Sequence, residues 1–68
     1  MLEFEVPALL VGHPVSEMMA EGRAAVTCLV RLGRALVPTP ATRLEAGDLV
    51  YACVGADFLT RFREMVGH

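Results

Sequence analysis

Polar and apolar positions alternate at the start of the chain. Glu3-Phe4-Glu5-Val6 repeats every second residue, the period of a strand with one wet face. Pro7 confines that strand to an edge or an end of a sheet, because it has no N–H to give a ladder. Ala8 to Val11 is a short apolar run that Gly12 ends. Pro14 suits the first turn of a helix, where its missing N–H has no partner. Val15, Met18 and Met19 then fall on one helical face and predict a short amphipathic helix. Glu17 lies near its positive end and Gly22 is its C-terminal stop.

From Ala24 the period changes to two. Ala24, Val26, Cys28 and Val30 are expected on one side, and Ala25, Thr27, Leu29 and Arg31 on the other. Both sets are largely apolar, which predicts a central strand covered on both faces. Leu32-Gly33 fits a two-residue hairpin turn, with a return strand from Arg34 to Val37 that Pro38-Thr39-Pro40 ends. Leu44 to Asp48 reads as a turn built on Gly47, and Leu49 to Val54 as the next strand. After Gly55 a last helix starts near Ala56-Asp57. Phe58, Leu59, Phe62, Met65 and Val66 make its apolar stripe, and Asp57 and Arg61 stand at ion-pair spacing. The expected fold is α+β: a small sheet of mostly antiparallel strands with two helices, in the order β-α-β-β-β-α. No repeat or linker divides residues 1–68, so a single domain is expected.

Composition changes this picture in one respect. Hydrophobic residues make up 54% of 68 residues. A domain of about 60 residues buries only about 60% of its unfolded surface, so some of this apolar material must be covered by a partner. A homodimer is expected. The net charge is −2, and all six cations are arginine, with no lysine. That balance exerts no general pull on a polyanion, and no nucleic-acid partner is expected. Cys28 and Cys53 both fall in strands, and the acidic start is not a signal peptide, so both are read as reduced, buried thiols. No apolar run approaches the ~20 residues of a spanning helix. The expectation is a soluble, cytoplasmic chain.

Chemistry is sparse. His13 sits in a turn and His68 at the end, neither with a partner at metal-ligand spacing, so no metal site is expected. Cys28 has no base nearby. Ser16, Thr27, Thr39, Thr42 and Thr60 belong to no nucleophile motif. Gly12, Gly22 and Gly33 are too far apart for a phosphate loop. No catalytic residue is assigned, and the chain is read as a non-enzyme. Met18, Met19 and Met65 are read as core filling before adaptable interface contacts.

The joint order of these pieces resembles the TrkA C-terminal domain, also called RCK-C. The matching pieces are Gly12-His13-Pro14-Val15-Ser16-Glu17-Met18, Val30-Arg31-Leu32-Gly33-Arg34 and Ala35-Leu36-Val37-Pro38. They continue with Leu44-Glu45-Ala46-Gly47-Asp48 and Leu49 to Gly55, followed by the closing helix. The resemblance covers nearly the whole chain. It implies a regulatory ligand-sensing and dimerisation module of a potassium or other cation transport system. The implied partners are a second copy and a membrane cation transporter or its nucleotide-binding subunit, with the chain peripheral to that transporter. No cofactor is implied, but in some members the dimer cleft binds a small effector, notably cyclic di-AMP. The positions corresponding to ligand residues are Arg23, Ala24, Ala25 and Pro40. The amide side chain of binding members has no counterpart, since the chain has no asparagine. Arg23 still offers a planar donor fork to a phosphate. An alternative resemblance is to AbrB-type or antitoxin-like DNA-binding transcription factors, through Arg34-Ala35-Leu36-Val37-Pro38 and the later Leu44-x-x-Gly-Asp-Leu.

Overall fold

The computed structural model describes residues 1–66. The side chain of Met65 and residues Gly67 and His68 lie outside the described residues, and with them the readings of Met65 and His68 above. Strand β1 runs over Leu2–Glu5, β2 over Ala24–Arg31, β3 over Arg34–Leu36 and β4 over Leu49–Val54. They form one four-stranded sheet in the order β1-β4-β2-β3, with every neighbouring pair antiparallel. Among the described residues the one α-helix, α1, spans Leu59–Val66 and is entered through a 3-10 turn over Ala56–Phe58. The α+β architecture and the strand order along the chain are as expected.

Turn chemistry fixes the hairpin. Leu32 and Gly33 have φ of 52° and 77°, the positive pair that a tight β2–β3 connection requires. The return strand is one residue shorter than expected and stops at Leu36. Pro7 leaves β1 as an edge strand, consistent with its missing donor.

Two expectations fail. The first concerns the helix expected from Val15, which is a single 3-10 turn over Val15–Met18. The backbone N–H groups of Val15 and Ser16 are drawn sideways to the Thr42 and Pro40 carbonyls, at 2.8 and 3.0 Å. Met19 is already extended, with φ −107° and ψ 144°. The segment is stitched to a loop instead of to its own next turn. Met18 is fully buried and fills the core, whereas Met19 is exposed.

The second concerns β2. The strand is central, as expected, but covered on one face only. A bulge between Val26 and Cys28 leaves Thr27 without a partner on β4 and switches the phase. Ala24, Val26 and Leu29 therefore point the same way, into the core, with Val50 and Ala52 of β4. The opposite face carries exposed Ala25, Thr27 and Cys53 and half-buried Cys28, Val30, Leu49 and Tyr51.

Val15, Met18, Leu44, Phe58 and Phe62 complete the core from the connecting segments and α1. The Phe4 and Phe62 rings meet edge to face with centroids 5.8 Å apart, which fastens α1 to the edge strand.

Candidate functional site

The residues before β2 form a tight loop. Ala20 and Ala24 exchange backbone hydrogen bonds of 3.0 and 2.8 Å, and the Arg23 N–H reaches the Ala20 carbonyl at 2.8 Å. Gly22 takes a φ of 72° that a side chain resists. The Arg23 carbonyl accepts the Gly55 N–H at 2.7 Å. The backbone of Arg23 is therefore held at both ends, and its side chain projects from a fixed point.

Beside it lies a cavity of about 620 Å³ lined by Gly22, Arg23, Gly55, Ala56, Asp57, Phe58 and Arg61. The Arg23 guanidinium carbon stands 6.0 Å from the centroid of the Phe58 ring, within cation–π range. A second, more apolar hollow of about 310 Å³ shares Gly22, Arg23 and Gly55 and adds Ala24, Ala25, Cys53 and Val54. The volumes fall in the range of small-molecule sites.

Three of the four expected ligand positions meet here. Arg23, Ala24 and Ala25 line the apolar hollow. Ala24 is buried, so its contribution is backbone, while Ala25 is exposed. Pro40 lines neither hollow. Its carbonyl instead accepts the Ser16 N–H and supports the 3-10 turn over Val15–Met18. Arg61, Asp57 and Phe58 were not singled out as site residues from the sequence. The sequence sets Asp57 and Arg61 at ion-pair spacing, yet among the described residues they form no ion pair. Asp57 belongs to the 3-10 turn and Arg61 to α1, so the spacing is not that of one regular helix.

A second polar cluster lies apart from the cavity. Arg31 donates from Nε to Oδ1 of Asp48 at 2.9 Å and from Nη2 to Oδ2 at 2.7 Å. It also donates to the Arg43 carbonyl at 2.9 Å, and its Nη1 lies 3.1 Å from Glu45. Asp48 additionally accepts the Glu45 backbone N–H at 2.9 Å. The Arg31 hydrogen bond holds the Asp48 carboxyl below its ordinary range, against the opposing effect of burial. Arg43 is turned to the Gly12 carbonyl. The hydrogen bonds of these groups hold the loops around Gly12, Arg43 and Asp48 together.

The remaining candidates fall as follows. His13 is exposed and bonds Glu17 at 2.9 Å. Neither cysteine is fully buried as expected: Cys28 is half-buried and Cys53 exposed, because both stand on the open sheet face. Both are free thiols. Among the described residues no group of three or more potential metal ligands occurs. Nor is any helix among them long and apolar enough to cross a membrane.

No protein-family model matches the chain. The Trk system potassium uptake protein TrkA of Streptomyces coelicolor is 38% identical to it over 47 residues. That match takes in 69% of this chain and 21% of that protein, so the chain spans about a fifth of its relative's length. A solved structure described as an RCK domain with cda has a TM-score of 0.75 to this chain at 14% identity. The correspondence covers 96% of this chain and 94% of that one.

Proposed function

Because the chain is an RCK/TrkA-family domain, we propose that it is a non-catalytic regulatory module of a potassium or other cation transport system. In this reading it is a C-terminal-type RCK domain that works in the cytoplasm, pairs with a second copy and senses a small molecule. The observation that carries it is the agreement of two independent likenesses, a TrkA sequence over 69% of the chain and an RCK fold over 96%. Both favour it over the AbrB-like alternative.

Pairing has support in the open sheet face. Ala25, Val30, Leu49, Tyr51 and Cys53 form a contiguous, largely apolar surface on β2 and β4. A second copy would remove it from water. Ligand sensing has support in the hollow at Arg23, Ala24 and Ala25, the positions the family resemblance assigns. Pro40 would join that site only from elsewhere, since it does not line the hollow of its own protomer. The solved RCK relative is one described with cda. An effector that binds one dimer geometry better than another shifts that geometry's population, and docked transport machinery follows.

The test combines size, binding and transport. Sedimentation at micromolar concentration should give a dimer, and cyclic di-AMP should raise the melting temperature of the wild type but not of Arg23→Ala. Potassium uptake by cells carrying the chain should change with the effector. A stable monomer with no effect on uptake would overturn the reading.

A further inference from the structure

We propose that the cavity between the Gly22-Arg23 turn and α1 is a phosphoryl-group site in which Arg61 is a second anion-holding residue beside Arg23. The inference deepens the ligand-sensing reading above and rests on it for what binding would achieve. The binding chemistry itself stands on the cavity.

Four observations converge there. First, two arginines from separate elements, Arg23 on the turn before β2 and Arg61 on α1, line a single cavity. Among the described residues neither is engaged in an ion pair, in contrast to Arg31. Second, the chain as a whole carries a net charge of −2, yet this cavity holds two arginines and one carboxylate, Asp57. Its local sign opposes that of the molecule, so an anion is drawn to this place in particular. Third, the walls are prepared. The Arg23 backbone is fixed through both its N–H and its carbonyl, its guanidinium carbon stands 6.0 Å from the centroid of the buried Phe58 ring, and Gly22 and Gly55 add no side chains to the lining. A backbone already held leaves only side-chain freedom to be lost on binding, and the planar fork of an arginine matches a phosphate. Fourth, the apolar hollow at Ala25 and Val54 shares Gly22, Arg23 and Gly55 with the cavity and so lies beside it. An anionic head on the arginines and a flatter, less polar remainder in the hollow fit the two parts together.

Asp57 distinguishes this site from a patch of solvated arginines. Asp57 lines the same cavity, and a negative charge there repels an incoming anion. Removing its charge should therefore tighten binding, an effect no purely structural role predicts.

The experiment is calorimetric titration of the purified full chain with inorganic pyrophosphate, ADP and cyclic di-AMP at low salt. Arg61→Ala should weaken pyrophosphate binding about tenfold, the loss of one charged hydrogen-bonding partner. Arg61→Lys should recover part of it. Asp57→Asn should strengthen it about threefold, and this gain should shrink as salt is raised. Arg61 and Asp57 are exposed, so melting temperatures should confirm that each variant folds. ADP binding more tightly than pyrophosphate would place a base in the apolar hollow, and equal binding would assign the site to a free phosphate. Wild-type protein that holds none of the three probes would overturn the proposal. So would pyrophosphate binding indifferent to both Arg61→Ala and Asp57→Asn. Cyclic di-AMP binding that ignores Arg61 would sink the role of Arg61 and leave the ligand-sensing reading intact. Pyrophosphate held through Arg61, with potassium uptake unaffected, would sustain the site and sink the transport reading.

Discussion

Arg31 grips Asp48 with a two-pronged hydrogen bond, Nε to Oδ1 at 2.9 Å and Nη2 to Oδ2 at 2.7 Å. Asp48 is only 1% exposed and carries the charge that Arg31, at the end of β2, neutralises. The Asp48 backbone carbonyl also accepts the Val6 N–H at 2.9 Å, just after β1. One residue thus ties the entry of β4 to β2 through its side chain and to the end of β1 through its backbone. Arg31→Ala leaves a buried carboxylate without its countercharge, a change that costs about 3 kcal/mol or more. A domain of this size has roughly 3–10 kcal/mol in all. Urea denaturation should show Arg31→Ala close to unfolding, and Arg34→Ala, an exposed neighbour, within about 0.5 kcal/mol of wild type.

The same pair sets an acid limit. The Arg31 hydrogen bond lowers the Asp48 carboxyl in the folded state, with the Glu45 N–H assisting and burial opposing. A carboxyl lowered by folding adds stability above its unfolded pKa of about 4. That stability is lost as pH falls through the lower, folded value. Denaturation midpoints measured from pH 7 down to 2 should therefore fall below about pH 4. Asp48→Asn should be less stable at pH 7 and should show a flatter acid profile. An acid loss of equal size in both proteins would assign it to other carboxylates.

Much of this architecture is legible in the sequence, and the places where it is not share a cause. Leu32-Gly33 announces its turn because the φ values needed are a local property. The final apolar stripe announces the closing helical segment because Phe58, in the 3-10 turn that leads in, and Phe62, in α1, fall on one side and are both buried. Thr27 hides its bulge. Thr27 bonds the Tyr51 carbonyl through its hydroxyl at 3.1 Å, and only the pairing with β4 reveals that one residue is extra. The Val15–Met18 turn likewise has helical spacing, but its N–H groups are claimed by Pro40 and Thr42 from far along the chain. Arg61 joins the cavity for the same kind of reason: the Gly55-to-Arg23 hydrogen bond brings the start of the last helix to the turn before β2. Local signals were readable, and non-local partners were not.

Leu32 is an avoidable strain. It has a φ of 52° and is 96% exposed, so it pays the cost of a left-handed backbone and packs on nothing within the protomer. Asparagine tolerates that conformation far better, and Asn-Gly is a favoured pair for this turn. Leu32→Asn should stabilise the chain by about 1 kcal/mol, a rise in melting temperature of about 4–8 °C for a domain this small. A fall in melting temperature would mean that Leu32 is packed in the assembled protein.

Phe62 is the most consequential core side chain. It is fully buried and lies edge-on to Phe4 with the rings inclined at 68°. Truncating a buried phenylalanine costs about 3–5 kcal/mol, which is comparable to the whole stability expected here. Circular dichroism at 25 °C should find Phe62→Ala largely unfolded and Phe62→Leu folded with a lowered midpoint. A folded Phe62→Ala would mean that α1 adds little to the core.

The two thiols report on the open sheet face. Cys53 is exposed and Cys28 half-buried, and both stand on the side of the sheet away from the core. Among the described residues neither is in a disulfide. In a dilute solution of single chains, a thiol reagent should label Cys53 quickly and Cys28 more slowly, because the thiolate must be reached to react. If two copies cover this face, raising the protein concentration should slow labelling at both positions in parallel. Cys53→Ser and Cys28→Ser assign the two phases. Cys53→Arg places a charge in the apolar surface opposite Ala25 and should return Cys28 labelling at high concentration to its dilute-solution rate. Labelling rates independent of concentration, together with a dimer by sedimentation, would move the pairing surface off this face and onto another part of the chain.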